Sequence, residues 1–200
     1  MSQATFPIAC IIMASGIARR FGSNKLIAAV NGEPMIKHIL QITHTLFKER
    51  LVITRHADIQ IICKQLNVDC IFHNEPYLSD TVRLGAEYAE KKKIQGLLFA
   101  VSDQPLLTQT TLIKLCQNFV REPDKIHRLY YHAAPGNPII FPLALAAELQ
   151  HLPKDKGGSI LTKKYPELVV RVQAQDKSEL FDVDTQADAQ LITTFTKDAT

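Results

Sequence analysis

The chain has no tryptophan, only four cysteines among its 200 residues, and no long hydrophobic run. Without tryptophan, no base-stacking platform can rest on that side chain. Cys10, Cys63, Cys70 and Cys116 form no C-x-x-C pair and follow no regular spacing. They read as reduced, mostly buried thiols of a cytoplasmic protein, not as a disulfide framework or a zinc site. The longest apolar run, Ile8 to Ala14, is far short of the roughly 20 residues that span a bilayer. No basic segment precedes it, and Arg19 and Arg20 follow it, an order that argues against a secretory signal. Membrane association is therefore not expected. Charge of one sign is also lacking: 23 Lys and Arg against 20 Asp and Glu leave +3, too small an excess to predict nucleic acid as a partner. The seven histidines make no H-E-x-x-H, and no G-x-S-x-G elbow occurs, so metalloprotease and serine-hydrolase chemistry have no support.

What is present is the balance of an ordinary globular protein, 46% hydrophobic and 22% charged, long enough for one well-buried domain over 1–200. Ile8 to Met13 is continuously apolar and then meets small residues and glycine, the mark of a strand buried on both faces. Pro34 suits the first turn of a helix on which Met35, Ile36, Ile39, Leu40, Ile42 and Leu46 recur at helical spacing. Further strands are expected at Arg50 to Thr54, Val68 to Phe72 and Gln95 to Val101, with helices over 57–66, after Ser79 or Asp80 as cap, and over 109–120. The second half is less regular. Strand-like pieces at 128–132 and 137–141 precede helices near 143–150 and 158–165, a strand at 168–172 and a last helix after Thr185. Repeated β-α order predicts an α/β fold with a mostly parallel, Rossmann-like, doubly wound sheet between two helical layers. In such sheets ligands bind beyond the carboxyl ends of the strands, so the segments after Met13, Phe72 and Val101 should line one crevice.

Five segments carry side chains suited to chemistry. The loop from Ala14 through Ser15, Gly16, Arg20 and Gly22 to Lys25 follows the first strand. Its small residues let backbone N–H groups approach an anion, and Arg20 and Lys25 add charge for a polyphosphate. Equally, it reads as a β-α loop with solvated charges, since G-x-G-x-x-G is absent and the Gly16 to Gly22 gap does not fit a Walker A. Asp103, in Ser102-Asp103-Gln104-Pro105, falls where a central strand ends; it can hold Mg²⁺ or cap a turn. Asp182 and Asp184 alternate in an extended segment and share a face, while Thr185 and Asp188 suit a capping box. Pro135-Gly136-Asn137-Pro138 suits a turn between two strands. Thr81 and Arg83 sit near a helix start, where a hydroxyl and a guanidinium can meet an anion or a base edge.

Taken in order, these segments resemble the molybdenum cofactor nucleotidyltransferases. Ala14-Ser15-Gly16 with Arg20-Phe21-Gly22 and Lys25 is similar to their A-A-G-x-S-x-R-M-G-x-x-K signature. Asp103-Gln104-Pro105 resembles their metal motif, Pro135 to Pro138 their G-x-P segment, and Asp182 to Asp188 their D-I-D-T-P-E-D close. Ser15 beside Gly16, in place of two adjacent glycines, resembles the cytidylyl branch more than the guanylyl one. The sequence departs from the pattern at Ser15, at Ala18 and at Gln186. The resemblance implies a nucleotidyltransferase sheet, with nucleotide half about 1–120 and acceptor half about 121–200. It implies transfer of CMP from CTP to the molybdopterin cofactor, release of pyrophosphate, and a molybdenum hydroxylase as client. By the same resemblance Lys25, Arg20 and Asp103 are catalytic, and Asp103 with Asp184 holds Mg²⁺, Asp182 being the weaker ligand. Ala14, Ser15, Gly16, Lys25, Thr81 and Arg83 face the nucleotide, and Gly136, Asn137 and Pro138 the pterin. The alternatives are a GTP-using guanylyltransferase, a sugar- or polyol-phosphate nucleotidyltransferase of the same fold, and a non-catalytic protein that delivers the finished cofactor.

Overall fold

A computed structural model describes residues 5–16, 21–22, 24–92 and 94–197, the last five as backbone only. The apolar run at the start forms β1 (Ile8–Ala14), and the β-branched segments that follow form β4 (Arg50–Thr54), β5 (Asp69–Phe72) and β6 (Gly96–Val101). With β7 (Ile126–Tyr131), β8 (Ala134–Pro142) and β9 (Val169–Gln173) they make one seven-stranded sheet of order β5-β4-β1-β6-β8-β7-β9. The pairings of β1 with β4 and β6, of β4 with β5 and of β7 with β9 are parallel. Only β8 runs against its neighbours in the described sheet.

The period-2 alternation of β1 divides the core. Ile8, Cys10, Ile12 and Ala14 pack with α1 (Met35–Thr43), α2 (Ala57–Gln65) and α4 (Gln109–Arg121). Ala9 and Ile11 face the other way, onto α3 (Leu78–Lys92), α5 (Ala146–Gln150) and α6 (Ser159–Lys164). Both faces of the strand are thus covered, which is why it reads as an unbroken apolar run and not as alternating polarity. Each fully buried Ile or Leu removed from water contributes roughly 1.5–3 kcal/mol. The three-layer α/β arrangement expected from the sequence is the one observed. No described helix is long and apolar enough to cross a membrane.

Several local expectations are corrected. Pro34 does not enter the helix: it ends β3 (Glu33–Pro34), which pairs with β2 (Ala29–Val30), and α1 begins one residue later. Asn31 and Gly32 join those two strands with φ of 53° and 81°, the pair of left-handed residues that a type I′ hairpin needs. Helix α3 begins at Leu78, so Ser79 and Asp80 lie inside its first turn. Asp80 acts from there, its carboxylate accepting the Tyr77 N–H at 3.1 Å. Pro135 to Pro138 is not the turn. His132 and Ala133 turn the chain, His132 at φ 52°, and the P-G-N-P segment runs within β8. Helix 143–150 is split into a 3₁₀ turn at Leu143–Leu145 and α5. The last helix, α7 (Gln186–Lys197), is started by the expected capping box: Asp188 Oδ2 accepts from Thr185 N–H at 2.7 Å and Thr185 Oγ1 from Asp188 N–H at 3.2 Å.

Helix α4 lies close to the sheet because β6 opens with glycine. A Cβ on Gly96 would stand 2.4 Å from the buried Phe119 ring. Gly96→Ala is expected to lower the unfolding free energy by about 1–3 kcal/mol, read as a lower urea midpoint at constant slope.

Candidate active site

The carboxyl ends of β1 and β6 open onto a crevice of about 350 Å³ lined by Met13, Ser15, Gly16, Lys25, Tyr77, Thr81 and Asp103, among others. The three segments expected to converge do so. Two hydroxyls fasten the strand ends beneath it: Ser102 Oγ donates to the Met13 carbonyl at 2.7 Å and Thr54 Oγ1 to the Ala14 carbonyl at 2.9 Å.

Lys25 is held by a 3₁₀ turn (Lys25–Ile27), with Asn24 Oδ1 accepting the Leu26 N–H at 3.1 Å. Its side chain is buried, and Nζ donates to Asp103 Oδ2 at 2.7 Å and to Asp184 Oδ1 at 3.0 Å. Burial alone would lower the Lys25 pKa, but the charges and hydrogen bonds of Asp103 and Asp184 outweigh it and raise the value above the ordinary one. The segment carrying Asp184 is held against Asp103 by the Val183 N–H, which donates to the Asp103 carbonyl at 2.9 Å. Val183 is buried, so Asp182 and Asp184, either side of it, turn toward the same face as expected. Asp182 Oδ1 accepts from Gln104 Nε2 at 2.9 Å. Burial, and then the nearby charge of Asp103, push the Asp182 pKa up.

The sequence makes Asp103 and Asp184 joint candidates for Mg²⁺; in the structure the Lys25 ammonium touches both carboxylates, and its positive charge offsets their mutual repulsion. Among the described residues no group of three or more His, Cys, Asp or Glu gathers in metal-holding geometry. Asp103 Oδ1 is buried and has no hydrogen-bond partner among the described residues. A hard oxygen left over at the crevice wall fits Mg²⁺, which binds through one or two carboxylates plus substrate phosphates.

Of the other expected residues, Ala14 ends β1, and Ser15, Gly16 and Thr81 reach the crevice. Arg83 is not in its described lining; its guanidinium pairs with Glu87 at 2.9 Å along α3. Arg20 lies outside the described residues. Gly136, Asn137 and Pro138 are also absent from the crevice lining. A Cβ on Gly136 would stand 2.6 Å from Leu180, and its carbonyl accepts from Arg128 Nε at 2.9 Å. Their neighbours Ala134 and Pro135 line a second, larger cavity of about 790 Å³ with Leu106, Leu180 and Phe181. Leu106 follows Asp103 closely and Phe181 precedes Asp182, so the segments that carry the aspartates also reach this second cavity.

Two residues escaped the sequence reading. Arg55 lines the crevice and donates to the Pro76 carbonyl at 3.3 Å; it follows β4 directly, so the rule about strand ends could have found it. Glu179 is buried, with Oε1 accepting from Thr108 N–H and Thr108 Oγ1 and Oε2 from Thr111 Oγ1 and Gln175 N–H. It pins the C-terminal segment to the start of α4. No local pattern announces its link to α4, since Thr108 and Thr111 lie 71 and 68 positions away in the chain.

Solved structures share this mostly parallel three-layer α/β architecture. A nucleotidyl transferase from Methanothermobacter thermautotroptrophicus superposes with a TM-score of 0.81 at 17% identity, over 96% of this chain and 99% of that one. The 4-diphosphocytidyl-2C-methyl-D-erythritol synthase from Anaerococcus prevotii gives 0.76 at 17% identity, over 96% of each. The fold is that of the nucleotidyltransferases. Residues 10–169 match the MobA-like NTP transferase domain, and the chain belongs to that family. A probable molybdenum cofactor guanylyltransferase from Aquifex aeolicus (strain VF5) is 24% identical over 137 residues, 60% of this chain. The match spans 60% of the length of that curated relative.

The raised Lys25 pKa has a definite sign. A base raised in the folded state stabilises fully below its unfolded pKa of about 10.4, and that contribution is lost as pH rises through the folded value. Unfolding free energies measured from about pH 9 to about pH 12 should therefore fall more steeply for the unaltered chain than for Lys25→Met.

Proposed function

We propose that the chain transfers a nucleoside monophosphate from a nucleoside triphosphate to the molybdopterin-type molybdenum cofactor and releases pyrophosphate. The observation that carries this reading is the Lys25 ammonium across Asp103 and Asp184 at the crevice wall, supported by membership of the MobA-like family. CTP is the proposed nucleotide, because Ser15 stands where a guanylyl enzyme's first loop has glycine. GTP is the second reading, favoured by the name of the Aquifex relative. The molecule would act as one unit, with nucleotide recognition in about 1–120, acceptor recognition in about 121–200, and a molybdenum hydroxylase as client. Turnover of a sugar or polyol phosphate instead, or tight cofactor binding with no pyrophosphate release, would select the remaining alternatives.

In this mechanism a terminal phosphate oxygen of the acceptor attacks the α-phosphorus in line, and pyrophosphate leaves. Both reactants are anions, so the protein's work is charge neutralisation and positioning. Lys25, kept protonated by its two aspartates, offsets charge on the triphosphate and on the departing pyrophosphate. Arg20 is proposed to assist it, and Arg55 adds a further cation at the crevice lining. Asp103 through its unpartnered Oδ1, with Asp184, would hold Mg²⁺. When bound, that ion would neutralise charge building up on the phosphate oxygens. Ser15, Gly16 and Thr81 line the crevice, and the backbone N–H groups of the first two and the Thr81 hydroxyl are proposed to meet the nucleotide. The strand carrying Gly136, Asn137 and Pro138 is proposed to serve the pterin from the side of the second cavity. No residue here acts as a nucleophile.

Pyrophosphate release is the test, measured with Mg²⁺ and molybdenum-loaded molybdopterin, comparing CTP, GTP and ATP. Release with CTP is the expected result; release with GTP alone would overturn the base assignment and keep the mechanism. Lys25→Ala and Asp103→Ala should each lower the rate on the order of 10²-fold or more, and full activity in either would remove its assigned role.

A further inference from the structure

One buried side chain beside the crevice, His73, is left unused by this mechanism. His73, directly after β5, is buried, and its Nε2 lies 2.8 Å from Ser15 Oγ and 3.5 Å from Thr81 Oγ1. Ser15 Oγ in turn donates its proton to the Ile53 carbonyl at 3.0 Å. A hydroxyl has a single proton to give, so toward His73 it accepts, and Nε2 must carry the hydrogen. The opposite ring nitrogen agrees. His73 Nδ1 is buried and finds no partner among the described residues, a position less costly for a bare nitrogen than for an N–H. Burial first, and then the positive charge of Arg55, lower the His73 pKa against the opposing pull of Asp80 and Glu75, which keeps the ring neutral near pH 7.

The result is a directed chain, from His73 Nε2–H to Ser15 Oγ and from Ser15 Oγ–H to Ile53, that ties the ends of β5, β1 and β4 together. Ser15 is the first residue beyond β1 and part of the crevice lining. We propose that His73 is a positioning residue for nucleotide binding: it acts through Ser15, orienting that hydroxyl and seating the start of the 14–16 loop against which the nucleoside triphosphate rests. The assignment builds on the nucleotide reading above. His73 touches the ligand's supports, not the reacting atoms, so its loss should act on affinity and hardly on the chemical step.

The experiment titrates CTP and GTP with Mg²⁺ by calorimetry into the unaltered chain, His73→Leu, His73→Gln, Ser15→Ala and the double variant His73→Leu/Ser15→Ala, with thermal melts on each. Loss of one oriented hydrogen bond should weaken binding of the preferred nucleotide about tenfold in His73→Leu, with a matching rise in KM and kcat changed by no more than about twofold. A glutamine amide can donate from nearly the same place as Nε2, so His73→Gln should recover most of the affinity. In the Ser15→Ala background the leucine should cost nothing further, because the pathway is already cut. Additive losses, or a glutamine variant as weak as the leucine at equal melting temperature, would overturn the assignment. Should His73→Leu fail to fold, Ser15→Ala and His73→Gln decide alone: unweakened binding in Ser15→Ala overturns it. An unaltered chain that binds neither nucleotide removes the nucleotide reading itself, whereas binding indifferent to His73 removes only this assignment.

Discussion

The contact on which the rest depends is the Lys25 ammonium between Asp103 and Asp184. It joins a loop after β1, the end of β6 and the segment before α7, residues 78 and 159 positions apart in sequence. Neither carboxylate can be drawn inward beside the other without a cation, and a buried ammonium is costly without anions. The two partly exposed aspartates therefore offset the cost of burying Lys25, and Lys25 offsets the repulsion between them. Asp182 shows what happens one step away from the lysine: its nearest polar partner is the Gln104 amide, and burial together with its acidic neighbours leaves its carboxyl harder to ionise.

Such a contact needs a rigid frame on each side. On the N-terminal side the frame is the sheet, whose β1 is buried on both faces and tied at its end by Ser102 and Thr54. On the C-terminal side there is no sheet ladder over 176–184, and side chains do the anchoring. Asp176 caps the turn through Ser178 at 2.8 Å, Glu179 gathers donors from Thr108, Thr111 and Gln175, and Val183 N–H meets the Asp103 carbonyl. Gly136 lets β8 approach Leu180 without a side chain in between. The segment 103–106 thus lines the crevice through Asp103 and the larger, more apolar cavity through Leu106, where Leu180 and Phe181 join it.

Much of this was legible in the chain itself. Apolar runs without alternation announced buried parallel strands, and helical spacing announced the layers covering them. Loop segments after Met13, Phe72 and Val101 could be assigned to one crevice because strand direction alone brings them together. Thr185 and Asp188 announced their capping box, since both partners sit within one turn. Where local signals misled, a neighbouring signal explained why. Pro34 suits a helix start, but Asn31-Gly32 just before it makes a hairpin that takes Pro34 as its last strand residue. Pro135 to Pro138 has turn composition, yet pairing with β7 draws it into a strand.

Sequence by itself determined the layers, the mostly parallel character of the sheet and the identity of Lys25, Asp103 and Asp184 as residues of interest, because those properties follow from periodicity, turn chemistry and position along the chain. Only the tertiary structure decided that an ammonium bridges the two aspartates, that Arg83 pairs with Glu87 along its helix outside the described crevice lining, that Glu179 is bonded to Thr111, and that His73 lies within hydrogen-bond reach of Ser15. These outcomes depend on distances between residues remote in sequence and on which charges share a low-dielectric space, and no local pattern encodes either.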